Sequence, residues 1–456
     1  MHVIIWVVLL LLYPRSAHVQ ALLFWNRPVR RFLGFGYIDI LLTWIPAARE
    51  RLLAPFGATF LSEAGWLDIT NYFDRVFVFE PRQERTLLLD EALPAVNGHV
   101  FLEGESGLGK SLCLRRLIER SANPRIYLRA ESCSGGVVEA IASRTHGPAS
   151  DAQFLEALIH VGALDIYVDG LNEASADTRA KIASFLESHH RGNIIVSSQP
   201  IEWQPPANMR ILILQPLREE NILGFMISRR AHYRQEGVSD EEFHRRCVEF
   251  LGKLTRISVL PDEAVAIREL LSNPMDLEFV VEMLCAGLDP NLLSLHNQKY
   301  EVMAADYQRV NMGHSFPLAA FSERVYQMRV TDCVSFTKER FVRELLCMER
   351  HRMVLRREYG DREWLFRHDR IMDFFVSQAL LGKGNDRLLQ HLGDARFRGA
   401  YLILSKILPL DEAMNLREAF VEYSAIYNDH TISDAFINLL RSRRRVLAAD
   451  AATPAR

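Results

Sequence analysis

Eight consecutive residues constrain the fold of this 456-residue chain more than any other feature. They follow the pattern GxxxxGK[ST] and read Gly104, Glu105, Ser106, Gly107, Leu108, Gly109, Lys110, Ser111. The apolar run 99–102 before them predicts a buried strand, and residues 111–119 after them predict a helix. A strand, a glycine-rich turn and a helix in this order are typical of a phosphate-binding loop. We therefore expect the chain to bind a nucleoside triphosphate.

Each part of this phosphate loop has a chemical task. The glycines let successive backbone N–H groups turn toward phosphate oxygens, and the helix N-terminus adds the positive end of its dipole. Lys110 is predicted to reach the β and γ phosphates, and the Ser111 hydroxyl is predicted to ligate Mg²⁺. All eight residues are therefore predicted to bind the cofactor, ATP or ADP with Mg²⁺.

A second motif follows at the end of the apolar run 164–169, which predicts another buried strand. The carboxylate of its last residue, Asp169, would emerge at the carboxyl edge of the sheet beside the phosphate loop, where it can hold Mg²⁺ opposite Ser111. Glu173 is the candidate to orient or deprotonate the attacking water, and an exposed loop acid is its alternative reading. Asp169 and Glu173 are thus the predicted catalytic residues, and Ser111 and Asp169 the predicted metal ligands.

Strand-like and helical patterns give the fold class. Five β runs, at 99–102, 125–129, 164–169, 193–196 and 209–214, alternate with amphipathic helices, which predicts a parallel sheet covered on both faces. Residues 53–82 are predicted as a connector and 83–93 as a helix. After residue 217 the pattern is helical, until the strand-like runs 353–357 and 364–368 flank a hairpin signal at Tyr359-Gly360-Asp361.

We expect an α/β protein with a parallel-sheet P-loop NTPase core, followed by helical and winged-helix domains and a C-terminal helical segment. The predicted boundaries are 1–71 for an N-terminal apolar, membrane-proximal helical region, 72–215 for the NTPase core, 216–300 for a helical domain, 301–381 for the winged helix, 382–445 for the C-terminal helical segment and 446–456 for a disordered tail.

The N-terminus suggests contact with a membrane. Residues 3–13 form an unbroken apolar run, but at about 1.5 Å per residue a helix of this length covers only half of a hydrocarbon core. Arginines follow the run on its C-terminal side only, as the positive-inside rule expects for a cytoplasmic C-terminal domain. Residues 19–25 and 32–45 are predicted to lie against a membrane surface or to form a hairpin on the next domain. We expect a chain tethered to the cytoplasmic face of a membrane near residues 3–13, or a cytoplasmic chain if that segment is a buried helix.

Composition narrows the classes of partner. The formal net charge is −3, so no global basic field attracts nucleic acid. A content of 49% hydrophobic and 24% charged residues is that of an ordinary globular protein. The six cysteines are scattered, with no CxxC pair and no Cys/His cluster at metal spacing, which favours reduced thiols over a disulfide framework or a zinc site.

Several separated segments together resemble a bacterial, membrane-proximal, NACHT-type member of the STAND class of signalling P-loop NTPases. Residues 104–111 match its Walker A loop, and 167–173 resemble its Walker B motif, in which a tiny residue follows the Mg²⁺ aspartate. Residues 215–217 resemble the passage from the NTPase core into the first helical domain. Asn273-Pro274 resembles the helical-domain proline motif, and 366–375 resemble the signature that ends the winged helix.

The resemblance covers residues 72–381 and implies further nucleotide contacts. It implies that Pro274 packs near the base and that His368 contacts the β-phosphate of ADP, although a lone histidine before an amphipathic helix also has a purely structural reading. The chain departs from the family at Asn172, where an acid is usual, and at Gln199, where an arginine is usual. Because Gln199 brings no positive charge to a γ-phosphate, we expect ATP hydrolysis to be slow at most while binding survives.

The function that the resemblance implies is a switch. Bound ADP would keep the core and the winged helix closed, and exchange for ATP would open the chain and drive self-association. The alternatives are a conventional P-loop ATPase and a nucleotide-regulated winged-helix DNA-binding protein. The sequence has no NKxD motif, which disfavours a GTPase. Residues 133–137 lack the leading Leu and closing Gln of an ABC signature, which disfavours a transport ATPase. The predicted wing has a basic face, but nucleic acid is not the favoured partner. The arginines of this face are Arg356, Arg357, Arg362, Arg367 and Arg370.

Overall fold

The structure is a computed structural model that describes residues 2–12, 16, 19, 45–63, 72–145, 150–188, 192–201, 203–233, 238–257, 273–291, 294–333, 335–337, 341–357, 363–381 and 386–452. The chain divides into two compact units. The first comprises Met1–Gly104, Lys110–Gln199 and Trp203–Leu214, and the second comprises Glu105–Gly109, Pro200–Glu202 and Gln215–Arg456. The middle of the phosphate loop is thus counted with the second unit.

The first unit is built on a seven-stranded sheet. Its strands are β1 Phe77–Glu80, β2 Arg85–Leu88, β3 His99–Glu103, β4 Arg125–Arg129, β5 Asp165–Asp169, β6 Asn193–Ser198 and β7 Arg210–Leu214. The order across the sheet is β2-β1-β7-β3-β6-β5-β4. Strands β3 to β7 run parallel, and β1 pairs antiparallel with both β2 and β7. The predicted α/β fold with a parallel sheet is therefore confirmed.

Continuous apolar runs place the central strands in the core. Val100, Leu102, Ile166, Val168 and Ile195 are at most 1% exposed, as expected for strands that are covered on both faces. The helices of this unit are α1 His2–Leu12, α2 Pro46–Leu53, α3 Gly57–Phe60, α4 Leu89–Ala92, α5 Lys110–Arg120, α6 Val137–Ala142, α7 Ala152–His160 and α8 Ala176–Ser188.

The helix predicted over 83–93 is wrong. Residues Arg85–Leu88 form β2, and only Leu89–Ala92 are helical. Glu84 turns the chain with a φ of 49°, so that β2 folds back on β1 as a hairpin. The hairpin is stabilised by Glu80, which pairs with Arg85 of β2 and Arg210 of β7.

The second unit is mostly helical. Its helices are α9 Glu219–Arg229, α10 Asp240–Ile257, α11 Pro274–Cys285, α12 Leu295–Val310, α13 Leu318–Val330, α14 Val342–Arg350, α15 Asp369–Leu380, α16 Arg387–Gln390, α17 Arg398–Ile407, α18 Leu410–Tyr427 and α19 Ser433–Ala452. A small antiparallel sheet lies among them in the order β8-β10-β9, with β8 at Phe336–Thr337, β9 at Val354–Arg357 and β10 at Glu363–Phe366. The predicted hairpin turn, 359–361, lies outside the described residues.

An aromatic cluster holds the helices and the small sheet of the second unit together. Phe321 of α13 lies 4.9 Å from Phe375 of α15 and 5.5 Å from Phe336 of β8, measured between ring centroids. The first pair packs edge to face and the second is stacked, and both arrangements add to the stabilisation by burial. The cluster fixes α15, which begins directly after His368.

The helices at the two ends of the chain can be compared with the predicted apolar N-terminal region and the predicted disordered tail. Helix α1 covers most of the predicted apolar run, whereas the helices predicted at 19–25 and 32–45 lie almost wholly outside the described residues. Among the described helices, we find none that combines the length and apolarity needed to cross a bilayer. The last helix continues to Ala452, into the tail predicted to be disordered from residue 446, because Leu447 to Ala452 are mostly strong helix formers.

Candidate nucleotide-binding site

The phosphate loop begins and ends in the first unit. The Gly104 N–H donates to the Ser198 carbonyl over 3.1 Å, which ties the start of the loop to β6. Helix α5 begins at Lys110, and the Lys110 Nζ donates to the Gly104 carbonyl over 2.7 Å. Lys110 and Ser111 are both partly exposed. The predicted phosphate ligand and the predicted Mg²⁺ ligand thus stand together in the first turn of the helix.

Asp169 ends β5 at the carboxyl edge of the sheet, as the sequence predicts. Its Oδ2 accepts a hydrogen bond from the Tyr127 hydroxyl over 2.5 Å, and its Oδ1 accepts one from the Ser197 hydroxyl. Both donors are neutral, and burial beside Asp169 raises the pKa of Tyr127 well above its usual range. Because hydroxyls orient this carboxylate without cancelling its charge, its surroundings fit those of a Mg²⁺ ligand.

Strand β6 lies between the strand of the phosphate loop and the strand of Asp169. Its Ser197 is fully buried, donates to Asp169 and accepts from the Gly170 N–H over 3.1 Å. Its Ser198 carbonyl accepts from Gly104. Two neighbouring serines therefore link both motifs, one through a side chain and one through the backbone.

The residues after Asp169 are engaged in structural bonds. Gly170 has a φ of 78°, and a Cβ there would lie 3.0 Å from the Glu173 carboxyl group, which explains the tiny residue at this position. Glu173 pairs with Arg129 over 3.4 Å. Asn172 is buried, and its Oδ1 accepts from the Gln199 N–H over 2.9 Å. The candidate base thus has a guanidinium partner, and Asn172 serves to join two chain segments.

Within the second unit, residues 105–109 of the loop contact the start of α11. Asn273 caps this helix, its Oδ1 accepting from Met275 N–H over 3.1 Å, while its Nδ2 donates to the Ser106 carbonyl over 2.7 Å. Gly107 has a φ of 84°, and a Cβ on it would lie 2.5 Å from the Asn273 Oδ1. The asparagine and the glycine fit each other with no room for a larger residue, and Pro274 follows as the first residue of the helix.

Glu105 of the loop also has a partner in the second unit. The Arg398 guanidinium donates to both of its carboxylate oxygens, over 2.5 Å and 2.7 Å. Arg398 is the first residue of α17, in the predicted C-terminal helical segment. Two consecutive loop residues are therefore held by two separate helices.

His368 lies in the second unit just before α15, partly buried. Burial and the nearby Arg367 lower its pKa to about 4, so the imidazole is neutral at pH 7. A neutral imidazole retains one N–H that can donate to a phosphate oxygen. In the first turn of α15, Arg370 pairs with Asp276 of α11 over 2.5 Å. Burial alone would raise the pKa of Asp276, but Arg370, Lys406 and His296 outweigh it and hold this pKa well below its usual range.

Sequence reasoning did not single out three residues around the predicted site. Tyr127 and Ser197 lie in apolar strands, and the only local signal is a hydroxyl in an otherwise buried run. Arg398 lies 293 residues from Glu105, and no local pattern connects them.

A different polar group also stood out in the described part of the chain. Asp306, Cys347 and His351 place potential metal-ligating atoms within 4.8 Å of one another, although their sequence spacing does not suggest a metal site. Asp306, however, pairs with Arg309 over 2.6 Å and with Arg350 over 3.4 Å. These cations already balance the carboxylate, so we assign no metal there.

The parallel strands β3 to β7, with a phosphate-loop sequence between β3 and α5, define the α/β fold of a P-loop NTPase core followed by helical elements. No protein-family model matches the chain, and no curated protein matches it. Among solved structures, a Signal Transduction ATPase with Numerous Domains (STAND) protein with a tetratricopeptide repeat sensor from Pyrococcus horikoshii matches at 15% identity and a TM-score of 0.33, over 84% of this chain and 56% of that protein. NtrX from Brucella abortus, solved in complex with ADP, matches at 13% identity and a TM-score of 0.29, over 67% of this chain and 75% of that one. The chain thus spans little more than half the length of the first of these proteins.

Proposed function

We propose that this chain is a nucleotide-dependent signalling switch of the STAND type, with NACHT-like character, which binds ATP or ADP with Mg²⁺ and self-associates on activation. In this proposal residues 104–111 bind the phosphates, and Ser111 and Asp169 hold Mg²⁺. Pro274 lies near the base, and His368 contacts the β-phosphate. The small sheet with its flanking helices is the winged helix.

One observation favours the function of a switch over that of a simple ATPase. The side chain of Asn273, directly before the predicted base-contacting proline, donates to the carbonyl of phosphate-loop Ser106. A loop that is bonded to a downstream helical domain can pass its state to that domain, because a change at the loop alters the hydrogen bond. A conventional ATPase core has no need of this bond.

The surroundings of the catalytic candidates support slow hydrolysis. The Glu173 carboxylate already pairs with Arg129, so it is held by a guanidinium instead of facing only a water, and Asn172 offers an amide in place of an acid. We propose turnover in the range of about 10⁻⁴ to 10⁻² s⁻¹, as for switch GTPases without an arginine supplied by a partner. Bound nucleotide would then persist long enough to define a state.

The alternative of DNA binding is less well supported. Two arginines of the proposed basic face are already paired, Arg370 with Asp276 over 2.5 Å and Arg356 with Glu349 over 3.7 Å. Paired arginines contribute less to phosphate neutralisation. A mobility-shift assay at low and moderate salt would reveal binding if this alternative held.

We also propose that the N-terminus contacts a membrane surface on its cytoplasmic side. Apolar side chains of α1 are 45–68% exposed, namely Ile4, Val7, Val8, Leu11 and Leu12. Such a helix lowers its free energy by burying this face at a lipid interface.

The nucleotide content of the purified protein tests the proposal. The nucleotide released on denaturation should be ADP or ATP, and Lys110→Ala should remove it, because the loop loses its main phosphate contact. Asp169→Asn should keep binding in EDTA but lose the gain in affinity that Mg²⁺ gives. Lys181→Ala, a partly exposed lysine of α8, is the matched control and should behave as wild type. Equal nucleotide content in the wild type and Lys110→Ala would refute the proposal.

A further inference from the structure

Arg398 is buried at the start of α17 with all of its guanidinium nitrogens engaged. Its side chain is 2% exposed, whereas that of Glu105 is 45% exposed. Nη1 and Nη2 donate to the Glu105 carboxylate, and Nε donates to the Thr431 carbonyl over 2.9 Å. The Thr431 carbonyl thus fixes the plane of the guanidinium from one side, and the other side faces the phosphate loop.

The residue after Arg398 shows how tightly α17 is seated. A Cβ on Gly399 would lie 1.8 Å from the Asp373 Oδ2 of α15, so only glycine fits there. Asp373 is buried and pairs with Arg329 of α13 over 3.0 Å. The position of Arg398 therefore depends on the packing of α17 against α15, the helix that follows His368.

The pair affects the charge of the phosphate loop. Glu105 places a carboxylate within a loop whose predicted ligand is a polyanion, and an unpaired carboxylate would repel phosphate. The bidentate pairing offsets this charge and also fixes the side chain. Together with the bond from Asn273 to Ser106, it holds two neighbouring loop residues from outside the loop.

We propose that Arg398 is a positioning residue through which helices α16 to α19 of the second unit control nucleotide release from the phosphate loop. While α17 is seated, Glu105 is neutralised and the loop retains its nucleotide. Withdrawal of α17 breaks the pair, restores the negative charge beside the phosphates and speeds release. This regulation rests on the proposed function, since it requires the loop to bind nucleotide.

The release rate of a fluorescent ADP analogue from the full chain tests this role. Arg398→Ala should release it about tenfold faster or more, the scale of a lost charge-assisted hydrogen bond. The double variant Glu105→Gln with Arg398→Ala should return toward the wild-type rate, because no unpaired carboxylate remains. Arg417→Ala, an arginine of α18 paired with its neighbour Glu418, is the matched control and should leave the rate unchanged.

Two results of the release assay overturn the role of Arg398: wild-type release from Arg398→Ala, or a double variant as fast as the single one. Circular dichroism identifies a variant that fails to fold, in which case Arg398→Lys, which keeps the charge, should show an intermediate rate. Hydrogen exchange of amides 105–109 without nucleotide gives an independent readout. If the wild type binds no nucleotide, the proposed function fails. Faster exchange in Arg398→Ala then still supports positioning, and unchanged exchange overturns it.

Discussion

At the scale of single residues, the candidate site depends on small groups in tightly defined places. The Asp169 carboxylate is oriented by the hydroxyls of Tyr127 and Ser197, which leave its charge available to a metal. The backbone of the phosphate loop is fixed from outside, since Asn273 holds the Ser106 carbonyl. The chemistry predicted for Lys110 and Asp169 therefore depends on neighbours that carry no motif.

Gly107→Ala should both destabilise the second unit and weaken nucleotide binding. A φ of 84° is strained for alanine, at a cost of roughly 1–3 kcal/mol, and the added Cβ would meet the Asn273 amide at 2.5 Å. Chemical denaturation and nucleotide titration measure the two effects. Gly224→Ala in α9 is the control, because nothing lies within 4 Å of its Cβ, and it should be neutral or stabilising. Equal stability of the two variants would contradict this account of the loop.

His368 should make the stability of the protein depend on pH. Its pKa is lowered to about 4 in the folded chain, while in the unfolded chain it titrates near 6.5. The unfolded state therefore binds more protons between these values, so the stability present above pH 6.5 is lost as pH falls toward 4. His296, whose pKa burial lowers to about 3, acts in the same direction.

The melting temperature of His368→Asn, measured from pH 7.5 to pH 4.5, should fall less steeply than that of the wild type. His314→Asn, at an exposed position, is the control and should follow the wild-type curve. Parallel curves for wild type and His368→Asn would show that this histidine is not buried as described.

At the scale of elements, the sequence predicts those strands and helices whose formation depends on a local pattern of residues. The strands β3 to β7 were predictable because continuous apolar runs of five or so residues between turn signals are typical of buried parallel strands. Strand β2 was missed because its leucines also fit a helix, and only the left-handed Glu84 and the cross-strand partners of Glu80 decide for a hairpin. The Arg398–Glu105 pair joins residues 293 positions apart, which no periodicity encodes.

Helix α1 should bind lipid without spanning it. Its 11 residues extend over about 16 Å, roughly half of a hydrocarbon core, and its apolar side chains are exposed. The full chain should co-sediment with anionic vesicles, and Val7→Glu with Leu11→Glu should abolish this. Ile426→Glu, which alters an apolar residue 65% exposed on α18, is the matched control. Undiminished sedimentation of the double variant would place any lipid contact elsewhere.

At the scale of the whole molecule, the chain joins a P-loop core to a second unit that also holds the middle of the phosphate loop. Within that unit, Asn273 at the start of α11 and Arg398 of α17 contact the loop, and Asp373 of α15 lies against Gly399 of α17. A change in the loop would therefore alter contacts in helical elements far from it in sequence. This coupling is what distinguishes a switch from an enzyme whose nucleotide is only a substrate.

The most direct test of this claim is the mass of the protein in solution, measured by light scattering with Mg²⁺-ADP and with Mg²⁺ and a non-hydrolysable ATP analogue. We predict a monomer-like mass with ADP and a larger assembly with the ATP analogue, and no difference between the two for Lys110→Ala. If the wild type binds both nucleotides and has the same mass with each, the chain binds nucleotide but is not the switch proposed here.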